Sequence, residues 1–257
     1  MKSVIRRLIQ AAGFDIYRLP PGGRADVYER DGLISIHNHD FMDDPAFRRA
    51  YDRGVQATLG RDYDWHWRVH TGLWAASAAA RIGGDFVECG VNRGALSSSI
   101  MEFLGWNDLD RTFWLLDTFG GIDERFVTDE EHGRAKMAES ERKLDNGVYT
   151  ADLAGVEANF AEWARVRFVV GAIPDSLAEA VPERVAFIHI DMNCAPPEVA
   201  ALRHFWPRLS PGGVVLLDDY AYRGFEPQKH AMDAAAAEFG VTVLSLPTGQ
   251  GLIVKPA

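Results

Sequence analysis

The sequence has little cysteine, a deficit of positive charge and no long apolar run. Only Cys89 and Cys194 occur in 257 residues, without CxxC spacing, so neither a disulfide framework nor a zinc site is expected. The 27 Lys and Arg face 37 Asp and Glu, a net charge of −10, which argues against nucleic acid as the main partner. The sequence has no run of about 18 apolar residues, the length that a membrane-spanning helix needs, and no signal peptide is evident. We expect a cytoplasmic protein with a small-molecule partner.

The first 64 residues predict an N-terminal extension or lid. Residues 1–13 predict a short basic helix, whose apolar face comprises Val4, Ile5, Leu8, Ile9 and Ala12. Such a helix can touch the inner membrane, or it can pack on its own domain or on a second subunit of a homo-oligomer, and we favour packing. Residues 14–64 are rich in Gly, Pro, Asp and Tyr, and they show one short helical pattern near 45–51.

Residues 65–257 predict an α/β domain. A helix over 65–82 stops at Gly83-Gly84, and short apolar runs then alternate with helical stretches. This alternation predicts a Rossmann-like, doubly wound, mostly parallel sheet with seven strands. The last two runs are separated by residues 247–250, so they predict a terminal hairpin that contributes one antiparallel strand.

The first predicted strand ends in a glycine loop that is typical of a nucleotide or cofactor site. It reads Glu88-Cys89-Gly90-Val91-Asn92-Arg93-Gly94 and opens a helix that contains Ser97. Glycines let the backbone approach a ligand closely, and helix N-terminal amides attract anions. Asn92 breaks a GxGxxG pattern, so the loop better matches the acid-x-Gly-x-x-x-Gly form of methyltransferases. Two glycines also occur in purely structural turns. As cofactor contacts we assign Glu88, Gly90, Val91, Arg93, Gly94 and Ser97.

Two further strand ends extend the predicted cofactor site. Asp117 closes the run FWLLD, where an acid can accept hydrogen bonds from ribose hydroxyls. Capping of the segment that starts at Thr118 is the structural alternative. We assign Asp117 and Thr118 as cofactor contacts, together with Gly171, which follows the third strand near the expected adenine position.

Three carboxylates end two neighbouring strands and predict a metal site. Asp191 ends VAFIHID, and Asp218 and Asp219 end VVLLDD. Such charges repel one another in a dry cleft, and hard oxygen ligands suit Mg²⁺. Such a cation could orient two vicinal hydroxyls of an acceptor. Helix capping and solvent exposure are the alternative roles.

The sequence does not decide which residue is the general base. Candidates near the metal site are His189, His230 and Asp191. His189 lies inside a strand and is more typical of a packed core residue. His230 follows the DDY turn on a helix that could present it to the cleft.

The chain resembles the macrocin O-methyltransferase family of magnesium-dependent sugar O-methyltransferases. The resemblance covers about residues 65–257 and depends on ECGVNRG, DTFGG, HIDMN, SPGGVVLLDDY and LPTGQG. It implies a class I methyltransferase fold, S-adenosylmethionine near Glu88, Gly90 and Asp117, and Mg²⁺ on Asp191, Asp218 and Asp219. It also implies a sugar hydroxyl as acceptor, on a polysaccharide or a glycosylated metabolite.

One residue departs from the family pattern. Family members carry Asp-x-Asp after the fourth strand, with the second acid as proposed base, whereas this chain reads Asp191-Met192-Asn193. An amide cannot take the proton at neutral pH, so Asn193 would orient the substrate while another group acts as base. Two alternatives stay open: an NAD-dependent oxidoreductase, and a non-catalytic protein that binds the cofactor.

Overall fold

The computed structural model describes residues 2–12, 23 and 27–257, and these residues cluster into two compact units, Met1–Asp40 and Phe41–Ala257. Of the loop-rich stretch predicted at 14–64, residues 14–22 and 24–26 lie outside the described residues. No helix in the described part is both long and apolar enough to cross a bilayer.

The smaller unit contains one helix and one hairpin. The predicted N-terminal helix is present as α1 (Lys2–Ala11). Strands β1 (Tyr28–Arg30) and β2 (Leu33–Ser35) pair antiparallel. Val4, Ile5 and Leu8 are exposed, and packing of this face on its own domain stays a prediction. Contact with a membrane or a second subunit stays a prediction.

The larger unit is built on a seven-stranded sheet within the described residues. In chain order its strands are β3 (Asp85–Cys89), β4 (Phe113–Asp117), β5 (Val166–Val170), β6 (Val185–Ile190), β7 (Leu209–Leu217), β8 (Leu244–Ser245) and β9 (Gly251–Val254). The spatial order is β5-β4-β3-β6-β7-β9-β8. Strands β3 to β7 are parallel, and β9 runs antiparallel to both neighbours. The predicted fold class, with its single antiparallel strand, is confirmed.

Both faces of the sheet are covered by helices, which explains why its strands read as continuous apolar runs. On one face, Phe86 and Phe187 join a core to which α2 (Pro45–Ala57), α3 (His66–Ala79) and α4 (Ala95–Leu104) contribute. On the other face, the next residues along each strand, Val87 and Ile188, join a second core under α8 (Ala195–Phe205) and α9 (Glu226–Glu238). The period of two along each strand thus separates two cores.

Helix α2 packs within the larger unit, although its sequence falls in the predicted extension. Asp44 caps it by accepting hydrogen bonds from the amides of Ala46 and Phe47, and Pro45 opens the first turn. Gly54 lets it approach α4 closely, because a Cβ there would lie 2.3 Å from Ser99 Oγ. Residues 41–64 therefore share the core of the larger unit.

The segment between β4 and β5 contains three helices: α5 (Asp129–Gly133), α6 (Lys136–Asp145) and α7 (Leu153–Phe160). The first two lie in a polar stretch of the sequence that has no apolar periodicity. A 3₁₀ turn at Asp175–Glu179 follows β5.

Candidate active site

A cleft of about 790 Å³ opens at the carboxyl edge of the parallel strands, where open α/β sheets bind ligands. Among the predicted site residues, the cleft is lined by Gly90, Asp117, Thr118, Gly171, Asp191 and Asn193. The remaining walls come from segments 121–126, 149–150 and 192–197. The sheet edge therefore brings the predicted strand ends together.

The glycine loop brings the end of strand β3 close to Asp191, the residue that follows strand β6. Gly90 has φ of +91°, and a Cβ there would lie 1.8 Å from the carbonyl oxygen of Asp191. Only glycine fits such a left-handed, crowded position. Gly94 (φ +78°) caps α4, against the ring of Phe160. The two glycines thus have demonstrable packing reasons, while Gly90 also borders the cleft.

Five of the predicted cofactor residues do not line the cleft in the described part of the chain: Glu88, Val91, Arg93, Gly94 and Ser97. Val91 and Ser97 are buried and Arg93 is half-buried. Direct contact of these side chains with a ligand stays a prediction.

Asp117 organises the loops on both sides of the cleft. Its Oδ2 accepts a 2.7 Å hydrogen bond from the Asn92 amide, and its Oδ1 accepts one of 2.7 Å from the Phe119 amide. Burial raises the pKa of this carboxyl despite those donors. A carboxylate has about four acceptor positions, so capacity remains for hydroxyl donors from a ligand.

Glu88 lies under the cleft and pairs with His189. Its Oε1 accepts a 2.9 Å hydrogen bond from His189 Nδ1, and both side chains are buried. Burial alone would lower the pKa of His189, but the carboxylates of Asp218 and Glu88 raise it to about 10. A protonated imidazole cannot accept a proton, so the structure argues against His189 as the base.

The three predicted metal-site carboxylates converge. Asp191, Asp218 and Asp219 each offer an oxygen, and these oxygens lie within 4.8 Å of one another. Burial and the charges of the other two acids raise the pKa of Asp191 well above its ordinary value, and burial and Asp218 raise that of Asp219. Burial also opposes ionisation of Asp218, but Arg68 and His189 hold its pKa below the usual range. Negative charge on Asp191 and Asp219 is therefore incompletely compensated.

Donors from three other elements contact this acid cluster, which we define as Asp191, Asp218 and Asp219. Arg68 of α3 forms ion pairs with Asp218 and Asp219. Gln250, just before β9, donates to Asp218 Oδ1 at 3.0 Å. Asn193 (φ +58°) donates to Asp191 Oδ1 at 3.0 Å. Gln250 lies in the LPTGQG motif, whereas no sequence pattern indicated that Arg68 pairs with these acids.

His230 is exposed on α9 and does not line the cleft in the described residues. The expectation that its helix would present it to the cleft is therefore wrong. Helix α9 begins at Glu226. Its buried side includes Met232 and Ala235, which pack in the second core.

Tyr149 is a cleft residue that sequence reasoning missed. It lines the cleft, and Lys143 Nζ donates to its hydroxyl at 3.4 Å. Burial, with the charges of Asp191 and Asp219, raises the pKa of the phenol. Tyr149 therefore keeps its proton at neutral pH and can donate a hydrogen bond toward the acids. No motif could have identified it, since it lies in a polar stretch without periodicity.

Glu131 anchors the segment that covers one wall of the cleft. Its Oε1 accepts from the Ala195 amide at 2.8 Å, and its Oε2 accepts from the Thr128 amide at 2.9 Å and from Thr128 Oγ1 at 2.8 Å. This carboxylate is fully buried. It joins α5 to the first residue of α8, so the wall depends on one side chain.

We expect Glu131→Ala to lower the free energy of unfolding by about 2–4 kcal/mol, because it strands two buried amides. Urea denaturation measures this loss. The matched control is Glu130→Ala, since Glu130 is exposed and its pair with Arg134 lies on the surface; that change should cost under about 0.5 kcal/mol. Equal losses in the two variants would contradict the anchoring role.

Comparison with known proteins yields one family match. The family model described as macrocin-O-methyltransferase (TylF) matches residues 72–239. The chain is 37% identical over 145 residues to the 8-demethyl-8-(2,3-dimethoxy-alpha-L-rhamnosyl)-tetracenomycin-C 4'-O-methyltransferase of Streptomyces olivaceus, with 54% of each chain covered. It is 32% identical over 144 residues to the mycinamicin III 3''-O-methyltransferase of Micromonospora griseorubida, with 54% of this chain and 56% of that protein covered.

A solved structure agrees with these matches. The O-methyltransferase NovP superposes with a TM-score of 0.62 at 27% identity, covering 74% of this chain and 80% of that chain. The chain spans about half the length of the first two curated relatives it matches.

Proposed function

Because the chain belongs to the macrocin O-methyltransferase family, we propose that it transfers a methyl group from S-adenosylmethionine to a hydroxyl of a sugar, on a glycosylated metabolite or a polysaccharide. One observation carries the proposal: Asp191 belongs both to the cleft and to the acid cluster. A donor in the cleft would therefore lie beside an acceptor at the cluster. The Streptomyces olivaceus relative is named for a rhamnosyl-bearing compound, which supports the choice of a sugar.

The residues of the cleft fit S-adenosylmethionine. When bound, this molecule supplies a methyl group on a positively charged sulfur. Gly90 leaves backbone space at the strand end, and Asp117 keeps acceptor capacity for ribose hydroxyls. Gly171 and Ile173 also line the cleft, and the adenine ring of the cofactor could lie against them.

The acid cluster fits a divalent cation such as Mg²⁺. Asp191, Asp218 and Asp219 offer oxygens within 4.8 Å of one another, and the charge of Arg68 pairs with Asp218 and Asp219. Clustered carboxylate oxygens of this kind are hard ligands that suit a divalent cation. Such a cation would polarise and orient neighbouring hydroxyls of the acceptor.

Asp191 is the remaining candidate for the proton acceptor. His189 is already protonated, and His230 is exposed away from the cleft. Asn193 holds Asp191 through its amide, so we propose that Asn193 positions this carboxylate and takes no proton itself.

Acceptor contacts are proposed for the residues before the core. The predicted extension 1–64 leads into the ring pair of Tyr63 and Trp65, stacked with centroids 4.4 Å apart. The Trp65 ring lies 6.0 Å from the guanidinium of Arg68, which pairs with the acid cluster. Trp65, stacked on Tyr63, thus lies beside the arginine that pairs with the acid cluster.

A direct assay tests the proposal. We expect transfer of labelled methyl from S-adenosylmethionine to at least one member of a panel of nucleotide sugars and sugar-bearing metabolites, with loss of turnover after chelation and recovery with Mg²⁺. Calorimetry should detect binding of S-adenosylhomocysteine and should detect no binding of NAD. Turnover that persists after chelation would remove the metal from the proposal, and binding of NAD in its place would favour an oxidoreductase.

A further inference from the structure

We infer that Arg68 is a built-in counter-ion of the acid cluster, which keeps Asp218 and Asp219 together and lowers the affinity of the cluster for a divalent cation. The inference deepens the proposed function and rests on it in one respect, namely that the cluster takes such a cation. It assigns Arg68 as a positioning residue.

Arg68 is held in place from several directions. It lies on α3 with 8% of its side chain exposed; Nη1 donates to Asp218 Oδ2, and Nη2 donates to Asp219 Oδ1 at 3.2 Å. Its guanidinium carbon lies 4.5 Å from the ring centroid of Tyr222. A planar guanidinium with two forward nitrogens holds two carboxylates in one fixed geometry, whereas a lysine ammonium on a flexible stem supplies the charge without that geometry. The fixed geometry of the contact is therefore specific to arginine.

Three of the carboxylate oxygens that a cation could use are already engaged. Asp218 Oδ2 accepts from Arg68, and Asp218 Oδ1 accepts from Gln250 at 3.0 Å and lies 3.7 Å from His189 Nε2. Asp219 Oδ1 accepts from Arg68. A cation that binds Asp218 Oδ2 or Asp219 Oδ1 must share that oxygen with the guanidinium or displace it.

Charge repulsion acts in the same direction. The three acids offer oxygens within 4.8 Å of one another, so a cation among them would lie within a few ångströms of Arg68. At such distances like charges repel strongly in a partly dry site. Conversely, buried carboxylates without a cation are costly, and Arg68 supplies that cation within the chain. The cluster is thus assembled before any metal arrives, at the expense of metal affinity.

Manganese binding to the full chain tests the inference. Mn²⁺ is titrated into the wild type, R68M and R68K, and free Mn²⁺ is followed by electron paramagnetic resonance. R68M should bind Mn²⁺ at least about tenfold more tightly, because the competing charge is gone. R68K keeps the charge and should bind within about threefold of the wild type. Unchanged or weaker binding by R68M would overturn the inference.

Thermal unfolding gives a second readout without turnover. In metal-free buffer R68M should melt below the wild type, and Mn²⁺ should raise its Tm more than that of the wild type. R68Q removes the charge but keeps a hydrogen-bond donor, so it replaces R68M if that variant does not fold. Calorimetry with S-adenosylhomocysteine reports whether each variant keeps an intact cleft.

The outcomes separate this inference from the proposed function. Equal Mn²⁺ affinity in the wild type and R68M, with S-adenosylhomocysteine bound by both, defeats the inference and leaves methyl transfer standing. Absence of Mn²⁺ binding in both proteins, with S-adenosylhomocysteine still bound, defeats the inference together with the metal part of the proposed function. If the wild type itself does not bind S-adenosylhomocysteine, the proposed function is wrong.

Discussion

Asp191→Asn should lower kcat for methyl transfer by about 10³-fold and change the affinity for S-adenosylhomocysteine by less than about threefold. The carboxylate lines the cleft and belongs to the acid cluster, so its loss removes the proposed proton acceptor and one proposed cation ligand together. A thousandfold loss corresponds to about 4 kcal/mol of transition-state stabilisation. Saturation kinetics and calorimetry on the same preparation measure the two quantities.

The matched control for this change is Asp110→Asn. Asp110 is 98% exposed, and its contact with Arg165 lies on the surface, so kcat should stay within about twofold. Parallel losses of kcat and of S-adenosylhomocysteine affinity in Asp191→Asn would indicate a collapsed cleft. That result would contradict a separate chemical role for Asp191.

Asp117→Asn should weaken binding of S-adenosylhomocysteine by about 100-fold. The change replaces one carboxylate oxygen by an amide that cannot accept a hydrogen bond. That oxygen either holds the Asn92 or Phe119 amide or is available to ribose, and charged hydrogen bonds of this kind are worth about 1.5–3 kcal/mol each. Calorimetry with S-adenosylhomocysteine measures the effect.

The kinetic form of the Asp117→Asn defect distinguishes it from that of Asp191→Asn. We expect a raised KM for S-adenosylmethionine with kcat falling less than about tenfold at saturation, because the acid cluster is untouched. Asp110→Asn again serves as the exposed control. An unaltered dissociation constant in Asp117→Asn would remove this residue from the proposed cofactor site.

The sheet and its functional edge were predictable because local signals agree with the fold. Strands buried on both faces read as continuous apolar runs, and their polar endings stand out: Asp117, Asp191, Asp218 and Asp219 all follow such runs. Parallel strands bring their carboxyl ends to one edge, so the convergence of three acids followed from topology alone. The cleft and the acid cluster were found this way.

The rest of the site depends on contacts that sequence patterns do not encode. Arg68 reaches across 150 residues to Asp218, and Tyr149 lines the cleft from a polar segment without periodicity. Helices α5 and α6 were missed because their short charged sequences lack an apolar stripe, and buried Glu131 supplies their anchoring instead. His230 was misplaced because a helix position does not reveal which side faces the core.

The hairpin that completes the sheet has a consequence for biosynthesis. Strand β9 inserts between β7 and β8, and Gln250 beside it donates to Asp218. Arg68, Asp191 and Gln250 therefore must all have left the ribosome before the acids reach their final geometry. A nascent chain stopped anywhere before residue 250 would carry the glycine loop and the Asp117 strand yet lack the Gln250 contact to the acid cluster, so the cluster would be completed only after residue 250 is made.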